Sequence, residues 1–276
     1  MSLHTLPDPE RTRRLTTDEL RDRFLMSDMF EDGRVTLRFV DLDRVILGGA
    51  VPTAGSLDLG VPDELAASSF TERRELGILN IGSAGSVTVG EEAYELAPLD
   101  LLYVGRGSGA ISFASADVGS PARFYLVSYP AHASYPTVRV RREEADKAEL
   151  GSAEKVNRRD LYKYVRPGGV DSSQLVMGVT EILSGSAWNT MPAHTHARRT
   201  EVYLYFDLAG QDVVFHMMGE PQEVRTLVVR DREAVLSPGW SIHAGAGTGP
   251  YRFCWAMGGE NQDFGDMQFV EMTDLR

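Results

Sequence analysis

From Val35 onward the apolar residues of this chain fall in short runs, each closed by glycine, proline, aspartate or serine. That texture limits the fold more than any other feature. VTLRFV, RVILGG, LGILNIG, SVTVG, LDLLYVG, AISF and RFYLVSY make up the first half, and QLVMGVTEIL, EVYLYFDL, DVVFHMM, VRTLVV, EAVLSPG and YRFCWAM the second. Runs of this length with period-two alternation are strands, and many of them with glycine turns predict an all-β sandwich or barrel. The 276 residues are enough for two compact β units. The predicted junction lies near residue 150, with units over 1–150 and 151–276. Between the halves there is an internal echo. Arg73-Arg74-Glu75 precedes LGILNIG as Arg198-Arg199-Thr200-Glu201 precedes VYLYFDL, and LDLLYVGRGSG parallels EAVLSPGWSIHAG, as duplication of one barrel would produce.

Two segments depart from the strand texture. Thr16-Thr17-Asp18-Glu19 reads as a capping box, predicting a helix through about Phe30 with Leu20, Phe24 and Leu25 on its apolar face. RREEADKAELG, Arg141 to Gly151, reads as a short charged helix with Gly151 as its stop.

Forty acidic against 28 basic residues give a net charge of -12, which opposes a nucleic-acid partner. An anionic substrate would require arginines gathered at the site. Cys254 is the single cysteine, so neither a disulfide framework nor a thiolate zinc site is available. The start lacks the apolar run of a secretion signal, and no stretch approaches a membrane span. The expectation is a cytoplasmic protein with no membrane partner.

His194-Thr195-His196 places two imidazoles two residues apart, on one side of a strand. Glu201 follows a turn-like Ala-Arg-Arg-Thr, and alternation puts Glu201, Tyr203 and Tyr205 on one face. His243 follows the Pro238-Gly239 turn and can bring a third imidazole from across the barrel. Three nitrogens and one carboxylate oxygen suit Zn, Fe, Mn, Co or Ni. An isolated His-x-His pair is more often two hydrogen-bonded histidines; the glutamate at this offset and the third histidine tip the balance toward a metal. His216, in VVFHMM, reads as a hydrogen-bonded histidine in a strand. His132 and His4 read as loop and terminal residues. The first half offers no histidine at the equivalent positions, so its expected role is scaffold or subunit contact.

The HxHx4E run and the PGxxxH-like segment resemble the paired metal motifs of the cupin superfamily, although Gly239 directly follows Pro238 where the usual glycine sits two residues after the proline. GGVDSSQLVMGVTEILSGSAWNTMPAHTHARRTEVYLYFDL, FHMMGEPQEVRTLVV, SPGWSIHAGAGT and GENQDFGDM are similar to the 4-deoxy-L-threo-5-hexosulose-uronate ketol-isomerase family, as are RRELGILNIG and LYVGRG in the first half. The resemblance implies a double-stranded β-helix fold as a bicupin, two jelly-roll barrels with a few short helices. It also implies a bacterial enzyme of pectin and polyuronide breakdown, a homohexamer, and one zinc ion per subunit on His194, His196, Glu201 and His243. The implied reaction converts a 4-deoxy-5-keto-uronate to 3-deoxy-D-glycero-2,5-hexodiulosonate through a metal-stabilised enediolate. Candidates for proton transfer are Tyr203 and Tyr205, which share the face of Glu201, and Glu181, Glu260 and Asp263 in the matching segments. Arg198 and Arg199, beside the ligands, are the candidates for the substrate carboxylate. Three other readings stay open: the related 5-deoxyglucuronate isomerase of inositol catabolism, an iron-dependent dioxygenase, and a non-catalytic metal-binding bicupin.

Overall fold

A computed structural model describes residues 3–260 and 262–276; Asn261, within GENQDFGDM, lies outside the described residues. The chain is nearly all β and divides into two compact units. Unit 1 comprises Met1–His4, Asp28–Asp146 and Tyr164–Met177, and unit 2 comprises Thr5–Ser27, Lys147–Lys163 and Gly178–Arg276. The segments interleave, so the N-terminal helix belongs with the second unit.

In unit 1 a seven-stranded sheet runs Leu3–His4, Val35–Val40, Ile46–Ala50, Phe124–Pro130, Arg74–Asn80, Leu101–Val104 and Val138–Val140 from edge to edge. A four-stranded sheet runs Leu57–Asp58, Ile111–Ser115, Gly85–Val89 and Glu92–Leu96. Leu76, Ile78, Val104 and Leu126 from the first sheet pack with Val87, Val89, Ile111 and Phe113 from the second into one buried cluster. Burying such side chains contributes about 1.5–3 kcal/mol each.

Unit 2 repeats the order. The second seven-stranded sheet, most of whose residues are in unit 2, runs Asp146–Leu150, Arg159–Val165, Val176–Ile182, Arg252–Gly259, Arg199–Phe206, Glu233–Ser237 and Leu25–Met26, and the smaller sheet of unit 2 runs Trp188–Asn189, Ile242–Gly247, Val214–Gly219 and Arg225–Val229. Taken in chain order, the five middle strands of the larger sheet and all four of the smaller one have the same neighbours in both units. This is the structural counterpart of the echo in the sequence. Leu76 pairs with Val104 at the end of its strand, as Glu201 pairs with Ser237. An apolar residue therefore stands in unit 1 where unit 2 carries Glu201.

Two predicted elements need correction. The helix spans Thr17–Phe24 and does not reach Phe30. Thr16 and Glu19 do form the capping box, but the chain then extends as Leu25–Met26 and pairs with Val235 and Ala234. Sheet hydrogen bonds thus outcompete another helical turn. The charged segment forms a 3₁₀ turn over Arg142–Glu144 and then a strand, Asp146–Leu150. Lys147 lies 3.1 Å from Glu149 and 3.0 Å from Asp160. An ion pair two residues apart belongs to one face of a strand. Among the described residues no helix is long and apolar enough to cross a membrane.

Candidate metal centre

Three separate pieces of unit 2 build the site. His194–Thr195 is a short strand held against Gln268–Phe269. The chain then turns, with His196 N–H donating to the Gly239 carbonyl at 3.2 Å. A Cβ on Gly239 would sit 2.5 Å from the His196 carbonyl oxygen, so the Pro238-Gly239 turn needs glycine to let the two segments touch. Arg199–Phe206 pairs on both sides, and period two directs Glu201, Tyr203 and Tyr205 to the same face. His243 comes from Ile242–Gly247 of the smaller sheet.

These elements bring together the four residues read from spacing. One ligand atom from each of His194, His196, Glu201 and His243 lies within 4.8 Å of the others, and all four residues are buried. The Nε2 atoms of His194 and His196 are 3.1 Å apart, as are those of His243 and His194. Glu201 Oε1 is 2.7 Å from His196 Nε2 and 3.6 Å from His243 Nε2. Neutral imidazoles cannot satisfy one another with lone pairs alone, whereas a shared divalent cation satisfies all of them. The donor set fits such an ion.

His196 Nδ1 lies 3.1 Å from Asp266 Oδ1, a charged acceptor that keeps the ring proton on Nδ1 and leaves the Nε2 lone pair facing the cluster. Arg199 approaches the same nitrogen at a longer 3.4 Å and lies 2.7 Å from Asp266. Burial, and then His243, lower the His194 pKa to about 3. Burial also lowers that of His243. For Glu201 burial acts upward, but the adjacent His243 and His196 outweigh it and lower the carboxyl pKa well below its usual range. Neutral His194 and His243 beside an ionised Glu201 are in the protonation state that metal ligation requires.

A cavity of about 300 Å³ opens onto this cluster. His194, His196, Arg199, Glu201 and Tyr203 line it, together with apolar Leu161, Phe253, Trp255 and Met257. Of the five proton-transfer candidates, Tyr203 lines the cavity, its hydroxyl 3.0 Å from Thr190 Oγ1. Tyr205 is not among the lining residues and is hydrogen-bonded to His216 Nδ1 at 2.7 Å. Glu181 pairs with Arg252 at 2.9 Å, and Glu260 with Arg198 at 3.0 Å. Exposed Asp263 accepts from Gly265 N–H at 2.8 Å. Those three lie outside the lining as well. Arg198 points to solvent, while Arg199 is 3% exposed and tied to Asp266. Sequence reasoning missed Asp266, which is remote from the motif; DFGDM was its one local signal.

Comparison with known proteins follows the same pattern. A family model described as the KduI/IolB family matches residues 29–272. The 4-deoxy-L-threo-5-hexosulose-uronate ketol-isomerase of Lachnoclostridium phytofermentans is 51% identical over 276 residues, covering all of both chains. An IolB-like protein from Salmonella typhimurium has a TM-score of 0.70 at 14% identity, over 90% of this chain and 96% of that one. Bacillus subtilis oxalate decarboxylase, a protein with Mn(II) centres, has a TM-score of 0.57 at 11% identity, over 87% and 78%. The last two similarities establish a cupin-type fold, and full-length identity of one half goes further: the chain belongs to the KduI/IolB family.

Proposed function

We propose that this protein is a metal-dependent uronate ketol-isomerase that converts 5-dehydro-4-deoxy-D-glucuronate to 3-deoxy-D-glycero-2,5-hexodiulosonate. The observation that carries the reading is the convergence of three imidazole nitrogens and the Glu201 carboxylate beside a cavity that His194, His196 and Glu201 line. The name of the 51% identical relative supports the substrate class.

The reaction moves hydrogen between a carbonyl carbon and its hydroxyl-bearing neighbour, and negative charge builds on two adjacent oxygens as an enediolate. A divalent cation supplies a Lewis acid for that charge, worth several kcal/mol on the order seen in metal enzymes. His194, His196, His243 and Glu201 would hold the cation, and with one carboxylate among them they would leave part of its charge uncompensated. Tyr203 Oη, a protonated phenol because burial raises its pKa, donates a hydrogen bond to a substrate oxygen. Phe253, Trp255 and Met257 exclude water, which strengthens each polar contact inside.

Zinc, one ion per subunit, is the ion we assign; manganese is the nearest competitor, given the Mn(II) centres of a fold relative. A homohexamer working in the cytoplasm on pectin and other polyuronide fragments completes the reading. The test is elemental analysis of the purified protein, with turnover of the 5-keto-uronate and of 5-deoxyglucuronate before and after chelation. The expected result is one divalent ion per chain, preference for the 5-keto-uronate, and activity that chelation abolishes and metal restores. Full activity in metal-free protein, or in the His194→Ala/His196→Ala double variant, refutes the proposal.

A further inference from the structure

Given a uronate as substrate, we infer that Arg159 receives its carboxylate and sets the preference for acidic over neutral sugars. Arg159 opens the strand Arg159–Val165 and lines the same cavity as Tyr203 and the metal-ligating cluster. Two guanidinium groups line that cavity, those of Arg159 and Arg199. Arg199 is already committed to Asp266 at 2.7 Å. For Arg159 the hydrogen bond described is to a neutral acceptor, the Asn157 carbonyl, at 2.9 Å, and it has no carboxylate partner among the described residues.

A half-buried cation lacking a counter-ion is costly, and its desolvation is visible in the lowered pKa of Arg159, where burial is the leading cause. One N–H is spent on Asn157, so the guanidinium keeps a two-donor edge matched to a carboxylate. The apolar wall of Leu161, Phe253 and Trp255 lowers the local dielectric and strengthens such a pair. The C6 carboxylate and the reacting C1–C2 pair lie at opposite ends of a six-carbon chain, so holding the one at Arg159 leaves the other free to reach the ligand cluster. In a protein of net charge -12, this cation is the local positive field that an anionic substrate needs.

Arg159→Met and Arg159→Lys in the zinc-loaded, full-length protein test the assignment. Two substrates are compared: the 5-keto-4-deoxyuronate, and its analogue with hydroxymethyl in place of the carboxylate. For Arg159→Met, KM for the uronate is expected to rise about 100-fold with kcat within about threefold. Zinc stoichiometry and kinetics on the neutral analogue stay as in wild type. Arg159→Lys keeps the charge but loses the fork, and its KM is expected to rise about 10-fold. The lysine variant also decides the matter should Arg159→Met misfold. A uronate KM within about threefold of wild type in a folded variant, or an equal loss on the neutral analogue, overturns the carboxylate role. Wild type that leaves the uronate unchanged overturns the proposed function as well, whereas active wild type with an indifferent Arg159 overturns this inference alone.

Discussion

Asp266→Asn keeps the size of the side chain and removes its charge. Asp266 Oδ1 lies 3.1 Å from His196 Nδ1 and 2.7 Å from Arg199, so the substitution weakens the acceptor that orients a candidate ligand and deprives a buried guanidinium of its anion beside the proposed cation site. Loss of an outer carboxylate of this type weakens metal binding by about 10- to 100-fold. That corresponds to about 1.4–2.7 kcal/mol. At free zinc near 100 times the wild-type Kd, binding stabilises wild type by about 2.7 kcal/mol. The variant at the same concentration keeps about 0.4–1.4 kcal/mol, a loss of about 1.3–2.3. Zinc Kd is read by competition with a chelating indicator, and stability by urea unfolding with and without zinc. The difference between the two unfolding curves separates the metal contribution from any cost of the weakened Arg199 pair. A Kd within about twofold of wild type, with an unchanged zinc increment, refutes the role of Asp266.

Two further outcomes concern stability. Glu75 is fully buried and accepts from Tyr103 Oη at 2.7 Å and from the N–H groups of Ser173, Gln174 and Leu175 at 2.6, 2.8 and 2.8 Å; Glu75→Gln turns an amide toward these donors and should cost about 3–5 kcal/mol in urea unfolding, and a loss under about 1 kcal/mol contradicts it. Burial holds His216 down to about 3, so between pH 6.5 and 3 only the unfolded chain takes up this proton. Its stabilisation is therefore complete above pH 6.5 and declines by about 1.4 kcal/mol per pH unit below it. The stability gap between wild type and His216→Gln, both in chelator, should narrow by about 2 kcal/mol from pH 7 to 5; a constant gap contradicts this.

Period two was legible wherever a strand carried the chemistry. Glu201 and Tyr203 share a face by spacing alone, and the strand Arg199–Phe206 puts them there, whereas His196 falls just past the short strand His194–Thr195 and reaches the cluster from the turn that follows. The duplicated order of strands left only a trace in the residues, because sheet topology constrains which positions face inward far more than which side chains fill them. Leu76 standing where Glu201 stands in the other unit illustrates this. Local reasoning failed where distant backbone supplied the competing interaction. Leu25 and Met26 leave the helix because Val235 and Ala234 offer a sheet edge. Asp146–Leu150 is extended although its charges also suit a helix.

By itself the sequence determined a nearly all-β chain and a candidate metal-ligand set, since both are written in the alternation of neighbouring side chains and in the chemistry of imidazole and carboxylate. Tertiary structure alone decided the division of labour among the arginines. Arg199, next to the candidate ligands in the chain, is paired with Asp266, and Arg159, forty residues away, lines the cavity with no carboxylate partner among the described residues. Charges pair through space, and no interval along the backbone records which partner the fold brings near.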